Sequence, residues 1–171
     1  MGGIINKKTL SKQELFYGKV NMPKGFEIDQ KKLVQDILKS NYSKTEYPFS
    51  KTLDMLNKYI IEHTKTEDSY FLCNKDTFGN VYKPNEQTKS LLKVNPMILA
   101  NSPDFILLYG VKTEDCFITI FYDDNRRKGK EHIIQLKTNE FVMFPSTNLY
   151  CIKNKQKENL NFILTITYEY I

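Results

Sequence analysis

Histidine is scarce in this chain, and the scarcity excludes several kinds of active site. The 171 residues include only two histidines, His63 and His132. A serine or cysteine nucleophile therefore has few candidate bases. The motifs of phosphate-binding loops, dinucleotide-binding loops, zinc proteases and serine hydrolases are also absent. His63 falls in the polar end of a predicted helix, where we expect a solvated side chain. For His132, at the start of a predicted strand, partner contact is the functional alternative.

Cysteine is present but arranged for neither disulfides nor zinc. The three cysteines, Cys73, Cys116 and Cys151, are an odd number, lie far apart in the sequence and stand beside apolar residues. A zinc site would need cysteine or histidine pairs a few residues apart. We therefore predict free thiols in a reducing compartment.

Long apolar runs are missing as well. No run approaches the roughly 18 residues of a membrane span, and the first residues lack the apolar core of a signal peptide. We predict no membrane association and a single domain over residues 1–171. Residues 1–14 are polar and without periodicity, which indicates a flexible arm or a clamp onto a partner.

Arginine is limited to Arg126 and Arg127, although the net charge is +5 from 25 basic and 20 acidic residues. The abundant residue types, lysine, asparagine, isoleucine and tyrosine, have codons rich in A and T. An AT-rich genome therefore explains the mild positive charge better than a nucleic-acid partner does. We do not expect this protein to bind nucleic acid. A bacteriophage, an AT-rich bacterium or a protist parasite would fit this composition.

Two helices are predicted in residues 26–64. In the first, Asp29 is the expected N-cap, and a set of apolar residues shares one face. That set is Leu33, Val34, Ile37 and Leu38. The second helix follows Ser50, its expected N-cap, and should end near Thr64. Pro48 breaks the loop between them.

Residues 70–171 are predicted to form a β-rich body. The first part, with Gly79, Pro84, Pro96 and Pro103, predicts short strands and long loops. From Phe105 onward, apolar and alternating runs are separated by turn signals, as in a sandwich or barrel. The run FILLYGV is apolar enough to be covered on both faces. The predicted class is thus α+β, with helices before a β-rich body.

Two turns concentrate basic residues. Adjacent arginines offer a forked geometry suited to a carboxylate, a phosphate or an acidic protein surface. The alternative is that these basic side chains lie at solvated hairpin tips and bind nothing. The two turns would form one positive patch only if they lay on the same face of the protein. The predicted partner-binding residues are Arg126, Arg127, Lys128 and Lys130 in the first turn, and Lys153 and Lys155 in the second.

Residues 105–171 resemble the C-terminal half of the iron- and 2-oxoglutarate-dependent oxygenases, especially the small prolyl-hydroxylase-like members. The segments that carry the resemblance are DFILLYGV, TIFYDDNRRKGK, HIIQLKTNEFVMFPS and NFILTITYEY, in that order. The motif Phe144-Pro145-Ser146 is the best single piece. The resemblance implies a double-stranded β-helix, the jelly-roll or cupin-like fold, with the N-terminal helices packed on it.

The resemblance also implies an iron site whose ligands are missing here. The family holds iron on two histidines and one carboxylate. The distal histidine aligns with Tyr150, and the first ligand pair aligns near Ile98 and Ala100. The basic residue that holds 2-oxoglutarate should fall near Leu160. We therefore predict a degenerate member that binds neither metal nor cofactor.

Three functions remain open from the sequence. The first is a non-catalytic structural or binding protein, similar to small oxygenase-like proteins of T4-type marine tailed phages. It would act in a virion or in the cytoplasm as a neck, tail-completion or capsid-associated part, in a homo-oligomeric ring or with other virion proteins. The second is an active dioxygenase with unusual ligands such as Tyr150, Asp104 or Asp115. The third is a decoy that binds a host factor or a small molecule in the vestigial pocket.

Overall fold

Two helices precede most of the strands in a computed structural model that describes residues 5–8, 13–64, 71–94, 97–123 and 129–171. Helix α1 (Gln30–Ser43) begins where the Asp29 carboxylate accepts a hydrogen bond from Lys32 N at 3.1 Å. Helix α2 (Lys51–His63) begins where Ser50 Oγ accepts from Leu53 N at 3.2 Å. Both predicted N-caps are confirmed, because each satisfies a backbone N–H that has no partner in the first turn.

Within the described ranges, eight strands form two antiparallel sheets. The larger has the order β1-β6-β3-β8-β2 and the smaller the order β5-β4-β7. The strands are β1 (Phe16–Lys19), β2 (Leu72–Tyr82), β3 (Phe105–Lys112), β4 (Cys116–Asp123), β5 (Gly129–Gln135), β6 (Glu140–Pro145), β7 (Tyr150–Asn154) and β8 (Asn161–Tyr170).

One core cluster lies between the helices and the outer face of the larger sheet. Leu33 and Ile37 of α1 belong to it together with Leu107 of β3. Leu38, predicted on the same helical face, is largely exposed. Its position is one residue beyond the buried stripe, so the α1 prediction was wrong for this side chain.

A second core cluster fills the space between the two sheets. Ile106 and Leu108 of β3 contribute to it, whereas Leu107 and Tyr109 belong to the helix-side cluster. Because successive strand residues point to opposite faces, β3 is covered on both sides, as its continuous apolar run predicted. The two sheets, which together we call the barrel, therefore enclose a packed apolar core.

Strand β2 corrects the expectation of short strands after residue 70. It is 11 residues long and pairs with β8 at the edge of the larger sheet, with a register shift between Asn74 and Asp76. Polar residues at this edge obscure the strand signal in the sequence. The long-loop prediction holds for the following residues, where only isolated bridges at Gln87 and Leu91 and one 3₁₀ turn (Leu99–Asn101) are described.

Buried amides hold together the barrel end that contains the β7–β8 connection. Gln156 Nε2 donates to Glu114 O at 2.6 Å and to Asn161 Oδ1 at 3.0 Å. Asn154 Nδ2 donates to Tyr82 O at 3.1 Å. This network ties the connection to the end of β2. Among the described helices, none is long and apolar enough to cross a membrane.

Candidate functional site

The barrel has a mouth where β7 begins and β4 and β6 end. Tyr150 starts β7 and pairs with Ile120 of β4. On its other side the Tyr150 backbone forms a bridge with Leu91, with Leu91 N donating to Tyr150 O at 2.7 Å and Tyr150 N donating to Leu91 O at 3.1 Å. Backbone pairing thus places Ile120 and Leu91, from two distant segments, on either side of Tyr150.

Tyr150 is the central side chain of the mouth. It is only 1% exposed, and its ring lies edge-on to Phe144 with 5.2 Å between ring centroids. Burial raises the pKa of the Tyr150 hydroxyl to about 12, because the phenolate would lose its hydration. At neutral pH the side chain is therefore a protonated phenol, which is a poor metal ligand.

A cavity of about 160 Å³ opens beside this cluster. Leu15, Ile120 and Phe144 supply its apolar walls. His132 is the cross-strand partner of Ile120, so its side chain lies on the same sheet face. Asn148 reaches the cavity from the turn before β7. The sequence placed His132 near the start of a strand but gave no sign of this cavity, and an asparagine in a turn is too common to reveal one.

The described members of the two basic turns lie at opposite ends of the smaller sheet. Lys130 is opposite Tyr122 on β4, and Lys153 is opposite Phe117. These positions on β4 are five residues apart, or about 17 Å along a strand, and they point to opposite faces. Lys155 lies with its Nζ 4.1 Å from the Phe117 ring centroid.

No single positive patch therefore forms from the described members of the two turns. The other predicted members, Arg126, Arg127 and Lys128, lie outside the described residues. Partner binding at either turn stays a prediction.

No protein-family model matches the sequence, and comparison with curated proteins found no relative. Solved structures do match. A Pseudomonas putida prolyl-4-hydroxylase has a TM-score of 0.60 at 11% identity, over 92% of this chain and 86% of that chain. A Trichoplax adhaerens prolyl hydroxylase has a TM-score of 0.58 at 11% identity, over 91% and 83%. The α-ketoglutarate-dependent epimerase SnoN of nogalamycin biosynthesis has a TM-score of 0.58 at 7% identity, over 92% and 78%.

The chain has the fold of the 2-oxoglutarate-dependent oxygenases. The prediction of helices combined with an antiparallel jelly-roll body is confirmed to that extent. At these identities the likeness concerns the fold alone, so the oxygenase chemistry has to be judged from the residues present in this chain.

The first ligand pair of an oxygenase site is not formed at the residues that the sequence alignment chose. Ile98 is 51% exposed and Ala100 lies exposed in the 3₁₀ turn. The residue bridged to Tyr150 is Leu91, seven positions earlier. In its described residues the segment between β2 and β3 has no regular strand that would fix the register, so the assignment of Ile98 and Ala100 stays a prediction. Leu91 is no better a metal ligand than Ile98.

The position aligned with the 2-oxoglutarate-binding basic residue stays a prediction as well. Leu160 precedes β8 and is 41% exposed. The β8 side chain within the barrel cluster is Ile163, and by alternation Thr165 shares its face. Thr165 Oγ1 accepts a hydrogen bond from Asn80 Nδ2 at 3.0 Å. None of these residues carries a positive charge.

The alternative ligands do not converge either. Asp115 adjoins Cys116, which pairs with Asn154 at the opposite end of β7 from Tyr150. Asp104 is at the start of β3, where its Oδ2 accepts from Tyr170 N at 2.7 Å. Across the described ranges, no three histidine, cysteine, aspartate or glutamate side chains are grouped to hold a metal. The residues present therefore do not fit the family's iron.

Proposed function

We propose that this protein is a non-catalytic binding or structural module built on the oxygenase fold. One observation carries the proposal: the barrel mouth is occupied by Tyr150, Phe144 and Leu91, which pack together and present no ionised ligand. A mouth of this kind can bind a partner or ligand through its shape and its apolar surface. Apolar packing also stabilises the fold without the charge balance that a buried metal would supply.

The test is an iron-loading and turnover experiment. Purified protein is incubated anaerobically with Fe(II) and 2-oxoglutarate, desalted, analysed for metal and then assayed for succinate formation in air. A prolyl 4-hydroxylase treated identically is the positive control. We expect substoichiometric iron and no succinate above the buffer rate.

A Tyr150→Phe variant sharpens this experiment. If Tyr150 ligates iron, the wild type binds one equivalent with turnover and the variant loses both, which would overturn the proposal. If the mouth has no ligand set, the two proteins behave alike because the removed hydroxyl coordinates nothing.

The role in a tailed-phage particle remains a further proposal that rests on sequence resemblance and composition. It predicts a fixed copy number of the chain in purified particles, either as a homo-oligomeric ring or in contact with other virion proteins. Native mass spectrometry of the purified protein and quantitative proteomics of particles test it. A monomer that is absent from every particle fraction would contradict it.

A further inference from the structure

The cavity at the barrel mouth contains a polar group that nothing in the described chain satisfies. Asn148 is only 7% exposed, and its backbone N donates to Pro145 O at 3.1 Å. Its side-chain amide lines the cavity, where it is open to solvent, and none of the hydrogen bonds described between residues of the chain involves it. Buried amides are nearly always paired with protein, water or ligand. An open one at a cavity wall marks the point where a ligand's polar atom would bind.

The cavity around Asn148 is lined mostly by apolar side chains, with His132 among the polar ones, and has room for an aromatic ring. The volume of about 160 Å³ is close to that of an engineered cavity of about 150 Å³, lined by leucine, isoleucine and phenylalanine, that binds benzene. Leu15, Ile120 and Phe144 supply the same chemistry here.

The N-terminal segment completes the cavity. Strand β1 pairs Phe16 with Met143, so the antiparallel register places Leu15 beside Phe144. Leu15 packs against the barrel cluster. The segment up to residue 14, predicted as a flexible arm or a clamp onto a partner, thus contributes Gln13 and Glu14 to the cavity rim.

We infer that this cavity binds a neutral monocyclic phenol, with the ring against Leu15 and Phe144 and the hydroxyl on the Asn148 amide. An amide is both donor and acceptor, so it pairs with a hydroxyl in either direction. A carboxylate is disfavoured, because an anion would lose hydration between the apolar walls. The inference rests on the proposed function, since it names the ligand class of the binding module.

The experiment is a titration of the ¹⁵N-labelled full chain with phenol, benzene and benzoate, followed by amide chemical shifts. We expect phenol to bind with a dissociation constant of about 1 mM, as suits a ligand of seven heavy atoms. The shifts should concentrate at the ends of β4 and β6 and in the turn before β7. Benzene should bind more weakly, and benzoate should produce no saturable shift.

Two variants and one matched control test the assigned contacts. Asn148→Ala should weaken phenol binding about 3- to 10-fold, the contribution of one neutral hydrogen bond, and leave benzene binding unchanged. Leu15→Trp fills the cavity and should abolish binding of both. Asn159→Ala removes an exposed asparagine side chain near the opposite barrel end and should change neither. The spectrum of each variant without ligand reports whether it is folded.

The inference is overturned if phenol produces no saturable shifts, if benzoate binds as well as phenol, or if Asn148→Ala binds phenol like the wild type. If phenol does not bind and the protein holds no iron and forms no succinate, the inference is wrong but the proposed function is not contradicted. Stoichiometric iron with succinate formation overturns the proposed function, whatever the phenol titration shows.

Discussion

At the scale of single residues, one hydrogen-bonded group fastens the N-terminal part of the chain to the larger sheet. Tyr109 Oη donates to Asn139 Oδ1 at 2.6 Å and accepts from Gln30 Nε2 at 2.7 Å. Asn139 Nδ2 donates to Val20 O at 2.8 Å. Asn139 has a φ of 64°, a left-handed conformation that asparagine tolerates better than most residues. The group therefore joins α1, the residue after β1 and the β5–β6 turn.

Replacing Tyr109 by phenylalanine should lower the free energy of unfolding by about 1–2 kcal/mol, because it removes one donor and one acceptor from a buried group. Urea denaturation followed by circular dichroism measures the change. Tyr42→Phe is the matched control, since Tyr42 is 93% exposed and should change stability by less than about 0.5 kcal/mol. Equal losses in both variants would show that the network does not stabilise the fold.

At the scale of elements, helix α1 rests on the edge strand β2 through a glycine. A Cβ at Gly79 would lie 2.7 Å from Ile37 Cγ1 and 3.2 Å from Ile37 Cα. Asn41 Nδ2 also donates to Gly79 O at 3.1 Å. The close approach of helix and strand therefore requires the absence of a side chain at this position.

Gly79→Ala should destabilise the protein by about 1–3 kcal/mol, the usual cost of overpacking a tight contact. Gly129→Ala is the control: a Cβ at Gly129, in strand β5, would meet no atom within 4 Å. Thermal and urea midpoints should fall for the first variant and stay constant for the second. A Gly79→Ala protein as stable as the wild type would place α1 further from β2 than described.

The same scale shows which parts of the molecule were predictable from the sequence. Both helices were located to within a residue or two, because Asp29 and Ser50 are local signals and the apolar spacing is regular. Strand β2 was missed because polar residues such as Asn74 and Asp76 obscure its pattern. The pairing of Leu91 with Tyr150 and the burial of Asn148 depend on contacts between distant segments, and a local pattern does not encode them.

At the scale of the whole molecule, buried ionisable groups make stability depend on alkaline pH. Burial raises the pKa values of Tyr109, Tyr150 and Cys116, each to about 12. Burial also raises the pKa of Tyr168. These groups stay protonated in the folded state at pH values where the unfolded chain begins to lose its protons. Their contribution is complete below the unfolded pKa values, near 9 for cysteine and 10 for tyrosine.

The free energy of unfolding should therefore fall as pH rises from about 9 toward 12, since the unfolded state then binds fewer protons than the folded state. Urea denaturation at pH 8 and pH 11 measures the difference. Tyrosinate absorbance should rise in two steps, with buried tyrosines ionising only on unfolding. A stability that stays constant over this range, or all tyrosines titrating together near pH 10, would contradict the described burial.

The central claim is that the barrel mouth holds a packed cluster around Tyr150 in place of a metal site. The most direct measurement is anomalous diffraction from crystals of the protein soaked in Mn(II), a stand-in for Fe(II). The account predicts no anomalous peak within coordination distance of Tyr150, Leu91 or Phe144, with the Tyr150 ring edge-on to Phe144. A manganese peak at that point, ligated by side chains of this chain, would contradict it.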